Sequence, residues 1–137
     1  MSQENEVDAA KLAAAIVEAM NTKDPDAVLA LVDPGVEFQS RLAVLAGRAY
    51  KGREGLRDYF RDVAETFENA RFEVDELVGW RGAQLVVVIR TSALGRESGI
   101  PVDVLTPQVW TFREGRISRV TTYRARAEAL EAAEAGE

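Results

Sequence analysis

Apolar residues recur every three or four positions in the first half of the chain and at every second position in much of the rest. That change of period predicts helices first and strands afterwards. Leu12, Ile16 and Met20, separated mainly by small Ala residues, predict an amphipathic helix from Asp8 to Asn21. Asp24 is placed to cap a short second helix, with Pro25 at its first position, where the missing N–H costs nothing. This helix carries Val28, Leu29 and Val32 and stops before Pro34-Gly35. Val36 and Phe38 alternate with Glu37 and Gln39, so Val36 to Ser40 reads as a strand. Arg41 to Gly52 has no period and reads as irregular. Leu56, Tyr59, Phe60, Val63 and Phe67 then form one face of a helix from Arg53 to Asn69, with Arg57, Arg61, Asp62 and Glu65 on the other.

The remainder predicts a meander. Arg71 to Trp80 pairs with Ala83 to Leu94 through a turn at Arg81-Gly82. Gly95 to Gly99 is a polar turn, and Ile100 to Arg113 is a long strand bent near Pro107, which has no N–H for a ladder. Glu114-Gly115 turns the chain into Arg116 to Tyr123, and an Ala/Glu-rich helix follows from Arg126 to Ala135. Helices followed by an antiparallel meander predict an α+β fold. Neither a linker nor an internal repeat divides the chain. One domain over 1–137 is expected, frayed at 1–7 and 134–137.

Composition narrows the chemistry. The 137 residues contain neither Cys nor His. Disulfides, thiolate nucleophiles, Ser-His-Asp triads and His- or Cys-ligated metals are therefore excluded, and no metal or cofactor is expected. An acid or base here must be a carboxylate, a Tyr or a Lys. Seventeen Lys and Arg against 23 Asp and Glu give a net charge of −6, which argues against non-specific nucleic-acid binding. No apolar run is long enough to span a membrane, and the acidic N-terminus is unlike a signal peptide, so a cytoplasmic protein without a membrane partner is expected.

Three stretches carry a resemblance: Leu31-Val32-Asp33-Pro34-Gly35-Val36-Glu37-Phe38, Tyr50-Lys51-Gly52-Arg53-Glu54-Gly55-Leu56, and Val109-Trp110-Thr111-Phe112-Arg113-Glu114-Gly115-Arg116-Ile117. Their order, with the predicted elements, resembles the nuclear-transport-factor-2-like superfamily and, within it, the SnoaL-like group. The resemblance implies a cone-shaped, strongly curved antiparallel sheet wrapped around N-terminal helices, an apolar pocket, and homodimers joined through the outer face of the sheet. Fold alone licenses no reaction, because the superfamily holds isomerases, cyclases, hydrolases, dehydratases and non-enzymes.

Carried over position by position, the resemblance removes two mechanisms. Ketosteroid isomerase pairs a basic Asp with a Tyr and a protonated Asp. Those positions fall on Phe38, Ile16 and Gln108. The Arg-x-Asp strand of limonene epoxide hydrolase falls on Arg90 and Ser92, and its last aspartate on Thr122. Scytalone dehydratase needs histidines. The pocket is then expected to hold Phe38, Tyr59, Phe60, Arg90, Ser92, Gln108, Trp110 and Thr122. Arg90 follows five apolar residues, so partial burial beside a carboxylate, Glu76 or Asp103, is expected. Asp103 is a weak candidate base, because burial would raise its pKa. Strict alternation, however, puts it on the face opposite Gln108 unless a bulge near Pro107 changes the register. The function these readings imply is binding of a small hydrophobic or polycyclic molecule, with isomerase- or cyclase-like activity. The alternative is a non-catalytic ligand-binding or dimerisation module.

Overall fold

Helix α1 (Gln3–Asn21) carries the predicted stripe but begins at Gln3, ahead of Asp8. The computed structural model describes residues 3–39 and 49–136, with side chains from residue 8 onward, so most of the stretch read as irregular, 41–48, lies outside the described residues. Helix α2 (Pro25–Leu29) forms as its cap predicts: the Asp24 carboxylate accepts the Asp26 N–H at 3.0 Å. Val32, read as helical, instead opens strand β1 (Val32–Gln39). Asp33-Pro34-Gly35 lies inside that strand, where the register shifts between Val32 and Glu37 and so accommodates a proline.

Strand β2 (Tyr50–Lys51) leads into helix α3 (Gly52–Thr66), whose buried face is Leu56, Tyr59, Phe60 and Val63. The helix ends before Asn69. Phe67 already belongs to strand β3 (Phe67–Arg81), and Asn69, at a φ of 57°, sits in a bulge between Glu68 and Arg71. The residue read as a helix stop therefore supplies the left-handed conformation of a strand bulge. Strands β4 (Gln84–Gly95), β5 (Pro101–Arg113) and β6 (Arg116–Thr122) and helix α4 (Arg126–Glu134) complete the fold. The ladder between β4 and β5 runs through Pro107 without a register shift.

The six strands form one open sheet in the order β2-β1-β6-β5-β4-β3. Every pair is antiparallel except β1 and β6, which run parallel, so the expectation of a wholly antiparallel sheet is corrected. A parallel pair requires a long crossover, and everything from β2 to β5 lies between these two strands. Three register shifts break β3 against β4, and each inserted residue bends the strand locally. The end of α1 is tied to β3 by Asn21, whose side-chain amide donates to the Phe72 carbonyl and accepts the Phe72 N–H, both at 2.8 Å.

Both faces of β4 are buried. Leu85, Val87 and Ile89 join the main core against the helices, while Val86 meets Val109, Ala129 and Ala133 beneath α4. A strand covered on both sides reads as a continuous apolar run without alternation. Arg126 fixes the start of α4 by a bidentate pair to Glu76, at 2.9 and 2.8 Å. Among the described residues, no helix is long and apolar enough to cross a membrane.

Candidate functional site

Alternation along three neighbouring strands decides what faces the helices. Ile89, Thr91 and Ala93 on β4, Thr106, Gln108 and Trp110 on β5, and Val120 and Thr122 on β6 line one cavity of about 530 Å³. Phe38 closes it from β1, Tyr59 and Val63 from α3, and Ile16, Val17 and Met20 from α1. The lining is mostly apolar, and no Asp or Glu belongs to it among the described residues. Segment 40–48 contains no acidic residue in its sequence either. Among the described residues, the one charged side chain on the lining is Arg124, exposed at the rim.

Gln108 is the best-defined polar group. The Trp110 indole N–H donates to its Oε1 at 2.8 Å. An indole nitrogen can only donate, so this bond fixes which end of the amide is oxygen. The Nε2 end, with its two N–H donors, has no partner among the described residues. Tyr59 packs edge-on against Phe38, with ring centroids 4.8 Å apart, and against Tyr50 at 5.4 Å. Its hydroxyl makes no hydrogen bond among the described residues. Burial, reinforced by the neighbouring Tyr50, pushes the Tyr59 phenol well above the ordinary tyrosine range. It is therefore a proton-bearing donor at neutral pH and cannot serve there as a base. The Thr122 hydroxyl is buried and has no partner among the described residues.

Of the expected pocket residues, Phe38, Tyr59, Gln108, Trp110 and Thr122 come together on this lining. Phe60 does not: it lies behind Tyr59, with ring centroids 5.7 Å apart, in the core. Arg90 and Ser92 are also outside the cavity, because Ile89 and Thr91 occupy the inward positions of β4 and a shift of one residue reverses the face. Arg90 is not buried. Its guanidinium grips Asp103 through two hydrogen bonds, at 2.9 and 2.7 Å, with the two side chains 46% and 53% exposed. Asp103 is thus the carboxylate partner expected for Arg90, while Glu76 pairs with Arg126 instead. The Arg90 hydrogen bond holds the Asp103 carboxyl below the usual aspartate range, the opposite of the shift expected from burial. An exposed, ion-paired carboxylate on the outer face cannot reach a ligand in the cavity, so the geometry removes Asp103 as a base. Thr91, Thr106 and Arg124 were missed. The first two would follow from the pairing of Ile89 with Thr106 and of Thr91 with Val104, which the sequence does not state.

A family model for the SnoaL-like domain matches residues 13–120. The chain belongs to this family. No curated protein matches it by sequence. The SnoaL-like chain is also similar to several solved structures. One is a protein with a ketosteroid isomerase-like fold from Catenulispora acidiphila, in complex with trimethylamine: 16% identity, 88% of this chain and 89% of the other covered, TM-score 0.71. A second is TerC, co-crystallised with polyporic acid: 17% identity, 92% and 98% covered, TM-score 0.72. A third, from Xanthomonas campestris pv. campestris, is provisionally assigned as a polyketide cyclase: 20% identity, 94% and 98% covered, TM-score 0.68. At these identities the likeness establishes a shared fold and does not assign a ligand.

Proposed function

We propose that this SnoaL-like protein binds a small, hydrophobic, polycyclic molecule in the cavity and orients it through an oxygen that accepts a hydrogen bond from Gln108. The observation that carries this reading is the amide itself: a donor pair held in place by Trp110, without a partner among the described residues, in a chamber of about 530 Å³ with a mainly apolar wall. Ligand sites commonly combine an apolar wall with a few fixed polar groups. The co-crystal of TerC with polyporic acid is in keeping with an aromatic occupant on this fold.

Binding without proton abstraction is favoured by a second observation. Ile16, Phe38 and Gln108, the positions where the resemblance to ketosteroid isomerase would place its catalytic groups, all line the cavity, and none of them is a base. Tyr59 holds its proton. A homodimer would use the part of the outer face that α4 leaves open, around Arg90, Ser92 and Asp103.

Thermal-shift measurements with steroids, polyketides and hydroxylated aromatics test the binding reading. A stabilising ligand is expected, with its effect reduced in Gln108→Leu and retained in Arg90→Ala. Stabilisation that is insensitive to Gln108, or lost in Arg90→Ala, would contradict it.

A further inference from the structure

Arginines on the described surface mostly have carboxylate partners. Arg90 holds Asp103, Arg126 holds Glu76, Arg113 holds Asp33 and Arg61 holds Asp58. Arg124 is different. Its backbone N–H donates to the Glu128 carboxylate at 3.2 Å, but its guanidinium makes no ion pair or hydrogen bond among the described residues. Among the described residues it is also the one charged side chain on the cavity lining, in a chain whose net charge is −6. A cation at the rim of a chamber whose described lining carries no carboxylate favours an anionic group there.

Neighbouring groups extend this polarity into the cavity. Thr122, two residues before Arg124, is the register partner of Gln108 on β5, and all three line the same wall. Gln108 presents N–H donors there, without a partner among the described residues. The wall formed by the middle of β5 and the end of β6 therefore offers the Gln108 amide donors and carries a positive charge at its open end. The residues that the helices contribute, Ile16, Val17 and Met20 on α1 and Val63 on α3, are apolar.

We infer that the ligand is an anion: an aromatic or polycyclic carboxylate whose rings lie in the apolar chamber and whose carboxylate meets Arg124 at the rim, within reach of the Gln108 side of the wall. This assignment rests on the reading that the cavity holds a ligand, and adds its charge and orientation. Carboxylate suits the site because a guanidinium presents parallel N–H donors that match its two oxygens.

Isothermal titration with anthraquinone-2-carboxylate and the isosteric anthraquinone-2-carboxamide at neutral pH separates the two claims. The carboxylate is expected to bind about tenfold or more tightly than the amide, a margin typical of a charge-assisted hydrogen bond. Arg124→Gln should remove that margin while leaving carboxamide affinity within about twofold, because the apolar contacts are untouched. Arg90→Gln, which removes the same charge from the opposite face, should change neither affinity. Equal affinities in the unaltered protein, equal loss of both ligands in Arg124→Gln, or an equal effect of Arg90→Gln would overturn the anion assignment and leave the cavity reading standing. Absence of binding by both quinones at millimolar concentration would overturn the cavity reading, and the assignment with it.

Discussion

Replacing Gln108 with Leu removes the amide, and with it the oxygen that accepts the Trp110 indole N–H at 2.8 Å. Trp110 is only 2% exposed, so its indole N–H loses its partner in a largely buried position. A buried donor left without a partner costs about 1–3 kcal/mol. Unfolding entropy of about 2.1 cal/mol/K per residue amounts to about 0.29 kcal/mol/K for 137 residues, so Tm should fall by about 3–10 °C. Gln108→Glu separates the two roles of the amide, because its carboxyl still accepts from Trp110 but no longer donates an amide N–H to a ligand. An apolar wall raises the pKa of an introduced carboxyl above its unfolded value of about 4.3. The stability of this variant should therefore be fullest below about pH 4.3 and decline as pH rises through the folded pKa. Differential scanning calorimetry between pH 4 and 8 measures both effects. A Tm for Gln108→Leu within 1 °C of the parent, or a Gln108→Glu variant that grows more stable toward pH 8, would refute the orientation assigned to the amide.

Other parts of the molecule are open to equally direct tests. A β-carbon at Gly55 would stand 2.7 Å from the Tyr50 carbonyl carbon, so Gly55→Ala should cost about 1–3 kcal/mol by overpacking, read as a lower urea midpoint. Tyr59 should stay protonated in an alkaline ultraviolet titration well beyond the ordinary tyrosine range. Its raised folded pKa means that the associated stability is fully present below the unfolded value of about 10 and is lost above it, so its ionisation should coincide with unfolding. Asp103 should titrate below the normal aspartate range by NMR and return to that range in Arg90→Ala. Its depressed pKa means that the pair contributes above about pH 3.9 and is lost as pH falls through the folded value. Light scattering should give a mass near twice 15.0 kDa for the homodimer; a mass near 15.0 kDa at micromolar concentration would remove it.

Local signals in the sequence were read correctly, and long-range ones less so. The cap at Asp24, the apolar face of α3 and the turn at Glu114-Gly115 depend on residues close together, and each forms where the pattern places it. The parallel pairing of β1 with β6 joins distant segments and leaves no local trace. Asn69 favours a left-handed backbone at a helix end or at a bulge, so its residue type did not choose between them. The site failed at one step. Leu85 to Ile89 is buried on both faces, which erases the alternation that would have shown Arg90 pointing outward. On β5, the strict alternation that separates Asp103 from Gln108 is present in the structure. Gln108 and Trp110 therefore lie on the cavity lining, and the cation there is Arg124, not Arg90.

A titration followed by NMR, with the Gln108 side-chain amide and the Trp110 indole N–H as reporters, tests ligand binding in the cavity most directly. On adding anthraquinone-2-carboxylate, both signals should shift together and saturate at one equivalent. Shifts confined to the outer face around Arg90 and Asp103, with Gln108 and Trp110 unmoved at saturation, would contradict it.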